Sequence, residues 1–488
     1  MSELTVKTTT GAVGDNRHPP ALYYVSVFEL AERFSYFGML SILIFYLYFP
    51  LDEGGLGLST ALASSLVGAY GGSIYFASIL GGWLSDRVLG SARTLLLGAV
   101  LVLCGHLVLS LSPGLSGAVV GMVLIALGSG CTKPTTATIV GTLYSADSIQ
   151  RVSGFTIFYL GINVGALTGG LATAFLNDMF GFHVGFAVAA AGMVIGLALY
   201  YPAQKRLPVE TRKAPNPAST QSVTRVAVVA LGAVLVLTVA FVTGILELSD
   251  SAKMVLALSS VAALTYFIGV GRSSKIDERE RANTVRYLWI FGATVVQIAL
   301  WMQLYGAFSV FVEQDVDRRI FGYDLPPASA VAGGALFAIV FTPVVTKVWR
   351  SMGERQPTTA SKYAFAALLL GLSFAFIGSS AAVSYTMPIL IVLLVVGVFY
   401  LADVIAQPAG LSYVTSAAPR AFGAQMTSVH LLAYAIGASL SGLVSSLYVP
   451  NENTIEYFGG LAVVAAALSV LLMVVRKRTA LTQEQDQS

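Results

Sequence analysis

Charged residues are scarce in this chain, because Asp, Glu, Lys and Arg together make up only 11% of its 488 residues. Soluble domains carry about 25%, so a protein surrounded by water is excluded. The hydrophobic fraction is 56%. Each bilayer crossing takes roughly 20 mostly apolar helical residues, and the chain is long enough for many such crossings. The composition therefore predicts an all-α polytopic membrane protein.

Other residues that would indicate a different class of protein are also missing. The two cysteines, Cys104 and Cys131, lie in apolar runs, which predicts small core residues and not a disulfide framework. No HExxH metal motif and no soluble catalytic or signalling domain is found, which disfavours an enzyme or a receptor. The net charge of +3 is not gathered on a soluble basic module, so no nucleic-acid partner is expected. No metal or cofactor is predicted.

Fourteen apolar helical segments follow one another along the chain in groups of six, two and six. Residues 21–202 are predicted to form an N-terminal six-helix bundle, and residues 287–475 a C-terminal one. Residues 203–286 are predicted to form a linker that contains the two extra transmembrane helices. The polar ends, 1–20 and 476–488, are predicted to be tails. Residues 1–20 carry no short apolar core with a cleavage site, so no removable signal peptide is expected.

The distribution of basic residues predicts the orientation. Of the 28 lysines and arginines, Arg33 and Lys133 fall inside helices, and Lys253, Arg318 and Arg319 fall on one face of the predicted topology. All the others fall on the opposite face. Because cytoplasmic loops carry the excess of lysine and arginine, both tails are predicted to be cytoplasmic.

The first predicted helix contains an unusual group of charges. Glu29, Glu32 and Arg33 share one helix face through their i, i+3 and i+4 spacing. A charge at mid-bilayer costs about 2.5 to 3.5 kcal/mol on insertion scales, so such residues need a reason to be there. Two carboxylates share one guanidinium, and in a low dielectric one acid would tend to take up a proton. The group predicts a proton or substrate site; the alternative is a buried ion pair that fixes helix packing.

Lys133 is a second charge inside the membrane, in the fourth predicted helix. Glycines before it, Gly128 and Gly130, allow close helix approach, and Pro134 can kink the helix. No acid lies one helical turn away. Lys133 therefore needs a partner from another helix or an anionic ligand, unless its side chain reaches the lipid headgroups.

Four motifs follow in order along the first half of the chain. They are the ExxERF pattern at residues 29–34, the segment 81–87 with Gly90 and Arg93, the Lys133–Pro134 pair, and the FYxxINxG pattern at residues 158–165. Together they resemble the proton-coupled oligopeptide transporters of the major facilitator superfamily, and the resemblance spans nearly the whole chain.

This resemblance implies a fold and an activity. The expected fold has twelve core helices in two six-helix bundles around a central cavity, with two inserted helices as in the bacterial branch, and it works by alternating access. The expected activity is symport of di- and tripeptides, or of peptide-like solutes, with protons. The coupling ion is then the proton, no cofactor is involved, and the location is the bacterial inner membrane.

The resemblance also implies roles for particular residues. Proton coupling falls on Glu29, Glu32 and Arg33. The substrate positions are Arg33, Tyr36, Tyr75, Lys133, Asn163, Asp403 and His430. Arginine and lysine can meet a carboxylate, tyrosine can donate a hydrogen bond, and asparagine can satisfy a peptide amide. Asp86, Arg87 and Arg93 resemble a conformational latch at the cytoplasmic face.

The C-terminal half departs from the family pattern. Asp403 stands where a glutamate precedes a Ser-Pro pair, Met302 where an acid is usual before Gln303, and His430 where tryptophan is usual. Further departures are at Leu40, Phe37 and Ala335. His430 could be a second titrating group or a neutral core histidine. These changes keep a second interpretation open: a relative that carries another organic acid, an amino-acid conjugate or a drug-like molecule, by import or by export.

Overall fold

The structure is a computed structural model that describes residues 18–144, 149–383, 386–419, 422–479 and 481. Most of the two predicted tails, 1–20 and 476–488, lies outside the described residues. The helices found are α1 Pro20–Tyr48, α2 Thr60–Leu84, α3 Ser91–Leu111, α4 Leu115–Thr142, α5 Ile149–Phe180, α6 Phe182–Ala203, α7 Thr220–Val242, α8 Ser251–Gly271, α9 Glu278–Trp301, α10 Ala307–Asp315, α11 Pro327–Met352, α12 Thr359–Ala382, α13 Ile389–Ala417, α14 Gly423–Ser445 and α15 Thr454–Val475.

The length and hydropathy of these helices fit a membrane protein. Within the described ranges, 13 stretches are long and apolar enough to cross a bilayer, with α9 and α10 counted as one. The 23-residue α7 is the remaining long helix. Large apolar side chains such as Val228, Ile195 and Val463 lie exposed on the outside, where lipid would cover them. The predicted all-α polytopic fold is confirmed.

Polar and glycine residues set the helix ends. The Ser59 and Thr358 hydroxyls accept hydrogen bonds from backbone N–H groups at the start of α2 and α12, and Asp277 forms a capping box at the start of α9. These side chains satisfy N–H groups that have no partner within the helix. Gly90 and Gly181 precede α3 and α6 with φ of 80° and 87°, a conformation that glycine adopts without strain.

The seventh core segment, predicted as one helix, is broken. After α9 the chain forms a 3₁₀ turn over Met302–Tyr305, and α10 begins only after Gly306. The side chain of Gln303 fixes this break, because its Oε1 accepts hydrogen bonds from Ser445 (2.7 Å) and Tyr457 (2.6 Å). The break is thus held by hydrogen bonds to two other helices, and the hydropathy of the sequence does not predict such contacts.

Four two-residue strands complete the loops at one end of the helices. β1 (Val316–Asp317) pairs in parallel with β4 (Met387–Pro388), with Val316 opposite Met387. β2 (Arg319–Ile320) pairs antiparallel with β3 (Tyr323–Asp324), with Arg319 opposite Asp324. The β1–β4 pair joins the loop after α10 to the loop before α13, whereas β2 and β3 pair within the loop after α10.

The helices form two groups. α1 packs against α5 and α6, α3 packs against α4 and α6, and α2 packs against α4. In the second group α12 packs against α13 and α15, α11 against α13, and α9 against α14. Across the groups the main contacts are α2 with α14 and α5 with α11, and α8 packs beside both α2 and α14.

Close contacts between the two groups gather towards the end of the helices at which α1 finishes. Gly68 of α2 lies directly on Gly442 of α14, with no room for a Cβ atom. A Cβ on Gly170 of α5 would lie 2.7 Å from the Ala332 Cβ of α11. Small residues allow such close approach of helix backbones. The two groups are therefore closed against each other at this end.

A cavity lies towards the opposite end. Its volume is about 200 Å³, and it lies between α5 and the ends of α11, α12 and α13, with Tyr159, Trp349 and Lys362 among its lining residues. At the closed end, by contrast, the Tyr48 hydroxyl donates a 3.0 Å hydrogen bond to Glu313 Oε2 across the two groups. The interface is thus asymmetric along the helix axes.

The two cysteines are both free. Cys131 is buried, as predicted, whereas Cys104 is exposed on α3, so the expectation that both are core residues is wrong for Cys104. A membrane helix is apolar on its lipid-facing side as well as on its core side, and an apolar run alone does not distinguish the two.

Candidate functional site

The charge group of α1 is buried and connected. Glu29, Glu32 and Arg33 are 2%, 0% and 6% exposed. Arg33 Nε lies 2.8 Å from Glu29 Oε1 and 3.1 Å from Glu32 Oε2. The helical spacing places all three side chains on one face. Two carboxylates therefore share a single guanidinium inside the bundle, and this charge triad carries one excess negative charge when both acids are ionised.

Glu32 also connects α1 to α4. Its Oε1 atom accepts hydrogen bonds from Ser129 Oγ and Thr132 Oγ1, each 3.3 Å long. Ser129 and Thr132 lie in the segment that precedes Lys133, but sequence reasoning did not single them out. Serine and threonine in membrane helices usually bond to the backbone of their own helix, so little in the sequence indicates that these two hydroxyls bond to another helix.

Glycines bring α4 close enough for these bonds. A Cβ on Gly130 would lie 2.6 Å from the Ala77 Cβ of α2, and a Cβ on Gly98 of α3 would lie 2.7 Å from the Gly128 carbonyl oxygen. The close helix approach expected from the glycines around Lys133 is present. It places the Lys133 segment directly beside α2 and α3, and the bonds of Glu32 place it beside α1.

Lys133 lies between two tyrosine rings. Its Nζ atom is 4.9 Å from the Tyr36 ring centroid and 5.1 Å from the Tyr75 ring centroid. An ammonium group is attracted to the face of an aromatic ring. Among the described residues no carboxylate forms an ion pair with it. The side chain points into the bundle and not to the headgroups, and its positive charge remains available to an anionic ligand.

Met302, where the sequence lacks the usual acid, packs against the second helix. Its Cε atom would lie 2.9 Å from a Cβ on Gly71 of α2, and the side chain is 6% exposed. It fills apolar space between the two helix groups. Within the described residues, the Lys133 ammonium lies against two tyrosine rings and forms no ion pair with a carboxylate.

Asp403 on α13 is the predicted substrate-binding acid of the second helix group. It accepts a 2.7 Å hydrogen bond from Gln407 Nε2, one turn later on the same helix. The Gln407 Oε1 atom accepts a hydrogen bond from the Tyr434 hydroxyl of α14. The Tyr434 ring packs against the Tyr75 ring at 5.1 Å between centroids. The tyrosine pair, Tyr75 and Tyr434, thus joins the lysine side of the site to the acid side.

His430 is buried within the second helix group. Its Nδ1 atom is 2.9 Å from the Tyr287 hydroxyl, and the side chain is 1% exposed. Its ring contacts Tyr434 at 5.4 Å, which leaves it two rings away from Lys133. This placement favours the core-histidine interpretation over direct contact with a ligand.

Asn163 and the predicted latch residues have looser surroundings. Asn163 Nδ2 donates to the Tyr159 carbonyl (3.0 Å), so its side-chain oxygen remains available. Asp86, Arg87 and Arg93 are exposed. The carbonyl groups of Asp86 and Arg87 accept hydrogen bonds from the backbone of residues 216 (3.0 Å) and 218 (2.9 Å), in the linker before α7. Their side chains form no ion pairs within the described part of the chain.

Comparison with known proteins assigns the family. The model of the POT family matches residues 92–461. The chain belongs to the POT family. An uncharacterized transporter of Bacillus subtilis, YclF, is 33% identical over 93% of both chains. A di-/tripeptide transporter of Lactococcus lactis is 30% identical over 92% of this chain and 93% of its own. The resemblance to proton-coupled oligopeptide transporters is confirmed.

Solved POT structures share the fold. The crystal structure of a POT peptide transporter in complex with sulfate has a TM-score of 0.90 and 32% identity, covering 96% of each chain. A POT family transporter in complex with 5-aminolevulinic acid also has a TM-score of 0.90, with 31% identity over 96% of this chain and 98% of its own. The chain is accordingly a polytopic membrane transporter and not an enzyme, and POT transporters use the proton gradient and no cofactor.

Proposed function

We propose that this POT protein is a symporter that carries di- and tripeptides together with protons across the bacterial inner membrane. The main observation is the arrangement of opposite charges. Lys133 presents an ammonium that forms no ion pair within the described residues on one side of the tyrosine pair, and Asp403 presents a carboxylate on the other side. A peptide has a carboxylate at one end and an ammonium at the other, which complements this polarity.

Proton coupling is proposed for the charge triad next to Lys133. Glu32 bonds both to Arg33 and to α4, so protonation of Glu32 would weaken the link between α1 and the lysine-bearing helix. Glu29 bonds to Arg33 within α1. The acid that connects two helices is better placed to couple a proton to helix movement.

Alternating access is proposed to act across the asymmetric interface. The contacts of α2 with α14 and of α5 with α11 close one end, and the cavity beside Tyr159 and Trp349 lies towards the other. With both tails in the cytoplasm, this arrangement corresponds to an inward-facing state. Asp86, Arg87 and Arg93 remain proposed latch residues at the cytoplasmic ends of α2 and α3.

A second candidate is a POT relative with a changed substrate. Met302 provides no acid for Lys133, and Asp403 is one methylene shorter than glutamate and is already bound to Gln407. The similar protein that binds 5-aminolevulinic acid supports small carboxylates as an alternative to peptides.

A ligand-stability screen of the purified protein distinguishes the two candidates. A ligand that binds the native state raises the melting temperature by mass action. We expect dipeptides and tripeptides to stabilise the protein more than single amino acids and simple organic acids do. If no peptide stabilises it while organic acids do, the peptide proposal fails.

Both ends of the chain should lie in the cytoplasm. Epitope tags placed at Met1 and at Ser488 should bind an impermeant antibody only after the cells are permeabilised, because the basic loops hold these ends inside. A tag that is labelled in intact cells would contradict the topology.

Replacing Glu32 with glutamine should uncouple uptake from the proton gradient. The amide keeps the size of the side chain but cannot exchange a proton. We expect Glu32→Gln to exchange substrate across the membrane while losing gradient-driven accumulation, with a smaller effect in Glu29→Gln. Counterflow and gradient-driven uptake in proteoliposomes measure the two activities. Gradient-driven accumulation by Glu32→Gln would rule out this role for Glu32.

A further inference from the structure

The carboxylate of Asp403 is occupied by a neutral side chain of its own helix. Gln407 Nε2 donates to Asp403 Oδ1 at 2.7 Å, and within the described residues Asp403 has no ion-pair partner. Serine, which the family pattern places at residue 407, has no amide and a shorter side chain than glutamine. The acid that faces an incoming amine therefore already has a hydrogen-bond donor.

The Gln407 amide is held from a second helix as well. Its Oε1 accepts a hydrogen bond from the Tyr434 hydroxyl, and the Tyr434 ring packs between Tyr75 (5.1 Å) and His430 (5.4 Å). His430 is itself bonded to Tyr287. Both ends of the amide are thus satisfied, and the side chain is fixed towards Asp403 by a network across α9, α13 and α14.

A ligand amine has to compete with this amide. An ammonium group and an amide N–H both donate to a carboxylate oxygen, so the amine must displace Gln407 from Oδ1 or use the other oxygen alone. Displacement reduces the net gain from the amine by the Gln407 bond that is broken, and use of the other oxygen leaves the amine with one acceptor oxygen instead of two. The carboxylate end of the ligand, which is proposed to face Lys133, meets no such competitor among the described residues, because no carboxylate there forms an ion pair with Lys133.

We propose that Gln407 is a specificity-determining residue that lowers the selectivity of this site for a free amine. The substrate class then extends to carboxylate-bearing solutes whose amine is acylated or absent, such as N-acyl peptides and small oxo acids. This inference rests on the proposed function in one respect, namely that Asp403 faces the substrate.

Two pairs of probes test the proposal through dissociation constants of the purified protein. Alanylalanine is compared with N-acetyl-alanylalanine, and 5-aminolevulinic acid with levulinic acid; each pair differs at the amine. In the unmodified protein we expect the two members of a pair to bind within about threefold of each other. In Gln407→Ser the free-amine member should gain about tenfold, since a hydrogen bond to a charged group is restored.

Further variants separate this effect from a general change of the site. Gln407→Leu keeps the volume but removes the amide, so it should raise the free-amine preference in the same direction. It replaces Gln407→Ser as the test if serine destabilises the helix. Gln221→Ser, an exposed glutamine at the start of α7, is the matched control and should leave the ratios unchanged. Adding Asp403→Asn to Gln407→Ser should abolish the gain, because the carboxylate is the proposed target.

The binding measurements test the role of Gln407 separately from the proposed transport of peptides. The proposal is overturned if the ratio of dissociation constants within both probe pairs is unchanged in Gln407→Ser and in Gln407→Leu. It is also overturned if the gain of the free-amine probe persists after Asp403→Asn is added, or if the folded variants bind no amine-bearing probe. If neither peptide binds but the levulinic pair does, the peptide function fails while the second pair still judges Gln407.

Discussion

Replacing Arg33 with alanine should reduce uptake at least about hundredfold while the protein still reaches the membrane. Arg33 is the only cation bonded to Glu29 and Glu32 in the described structure, and both acids are buried. Without the guanidinium, both carboxylates lose the cation that they share inside the bundle, so the triad proposed to couple protons to transport is no longer intact. Initial uptake rates in proteoliposomes at a fixed proton gradient measure the effect.

The control for Arg33→Ala is Lys253→Ala. Lys253 also forms an ion pair, with Asp250, but its side chain is 66% exposed, and exposed pairs contribute about 0 to 1 kcal/mol. We expect near-normal uptake in this variant. If the Arg33→Ala variant takes up substrate at a normal rate, the charge triad only fixes helix packing, and the proposed coupling role is wrong.

The second large effect is expected for Lys133→Met, which should weaken substrate binding about ten- to hundredfold. The substitution keeps an apolar chain between Tyr36 and Tyr75 but removes the ammonium. A charge-assisted hydrogen bond to the substrate carboxylate is lost, at a cost of about 1.5 to 3 kcal/mol. The ligand-induced rise in melting temperature and the dissociation constant should both report the loss.

The unliganded melting temperature distinguishes binding from folding in this variant. Because Lys133 has no ion-pair partner among the described residues that the substitution would leave unpaired, we expect the free Lys133→Met protein to melt at or above the temperature of the unmodified chain. Lys253→Met is the matched control and should bind substrate normally. Unchanged affinity in Lys133→Met would mean that this lysine does not contact the substrate.

Residues that share one helix were predicted correctly from the sequence. The spacing of Glu29, Glu32 and Arg33 places them on one face, and the observed distances of 2.8 and 3.1 Å confirm the shared guanidinium. The helix period fixes such neighbours before any tertiary contact forms. Hydropathy likewise predicted the membrane class, because it depends on composition alone.

Contacts between helices could not be predicted in the same way. The bonds of Glu32 with Ser129 and Thr132, and of Gln407 with Tyr434, depend on how far one helix is rotated and shifted against another. That register is set by close packing at glycines such as Gly130, which sequence periodicity does not encode. The break before Gly306 depends on the bonds of Gln303 with two other helices. The exposure of Cys104 depends on which side of α3 faces outwards, and hydropathy along the chain encodes neither.

Dipeptide accumulation in proteoliposomes tests the central claim most directly. With an inward proton gradient, the unmodified protein should concentrate alanylalanine above its external level. A protonophore should abolish the accumulation, because it dissipates the proton gradient. Uptake that is the same with and without the gradient, or no uptake of any dipeptide by folded protein, would contradict the account of a proton-coupled peptide symporter.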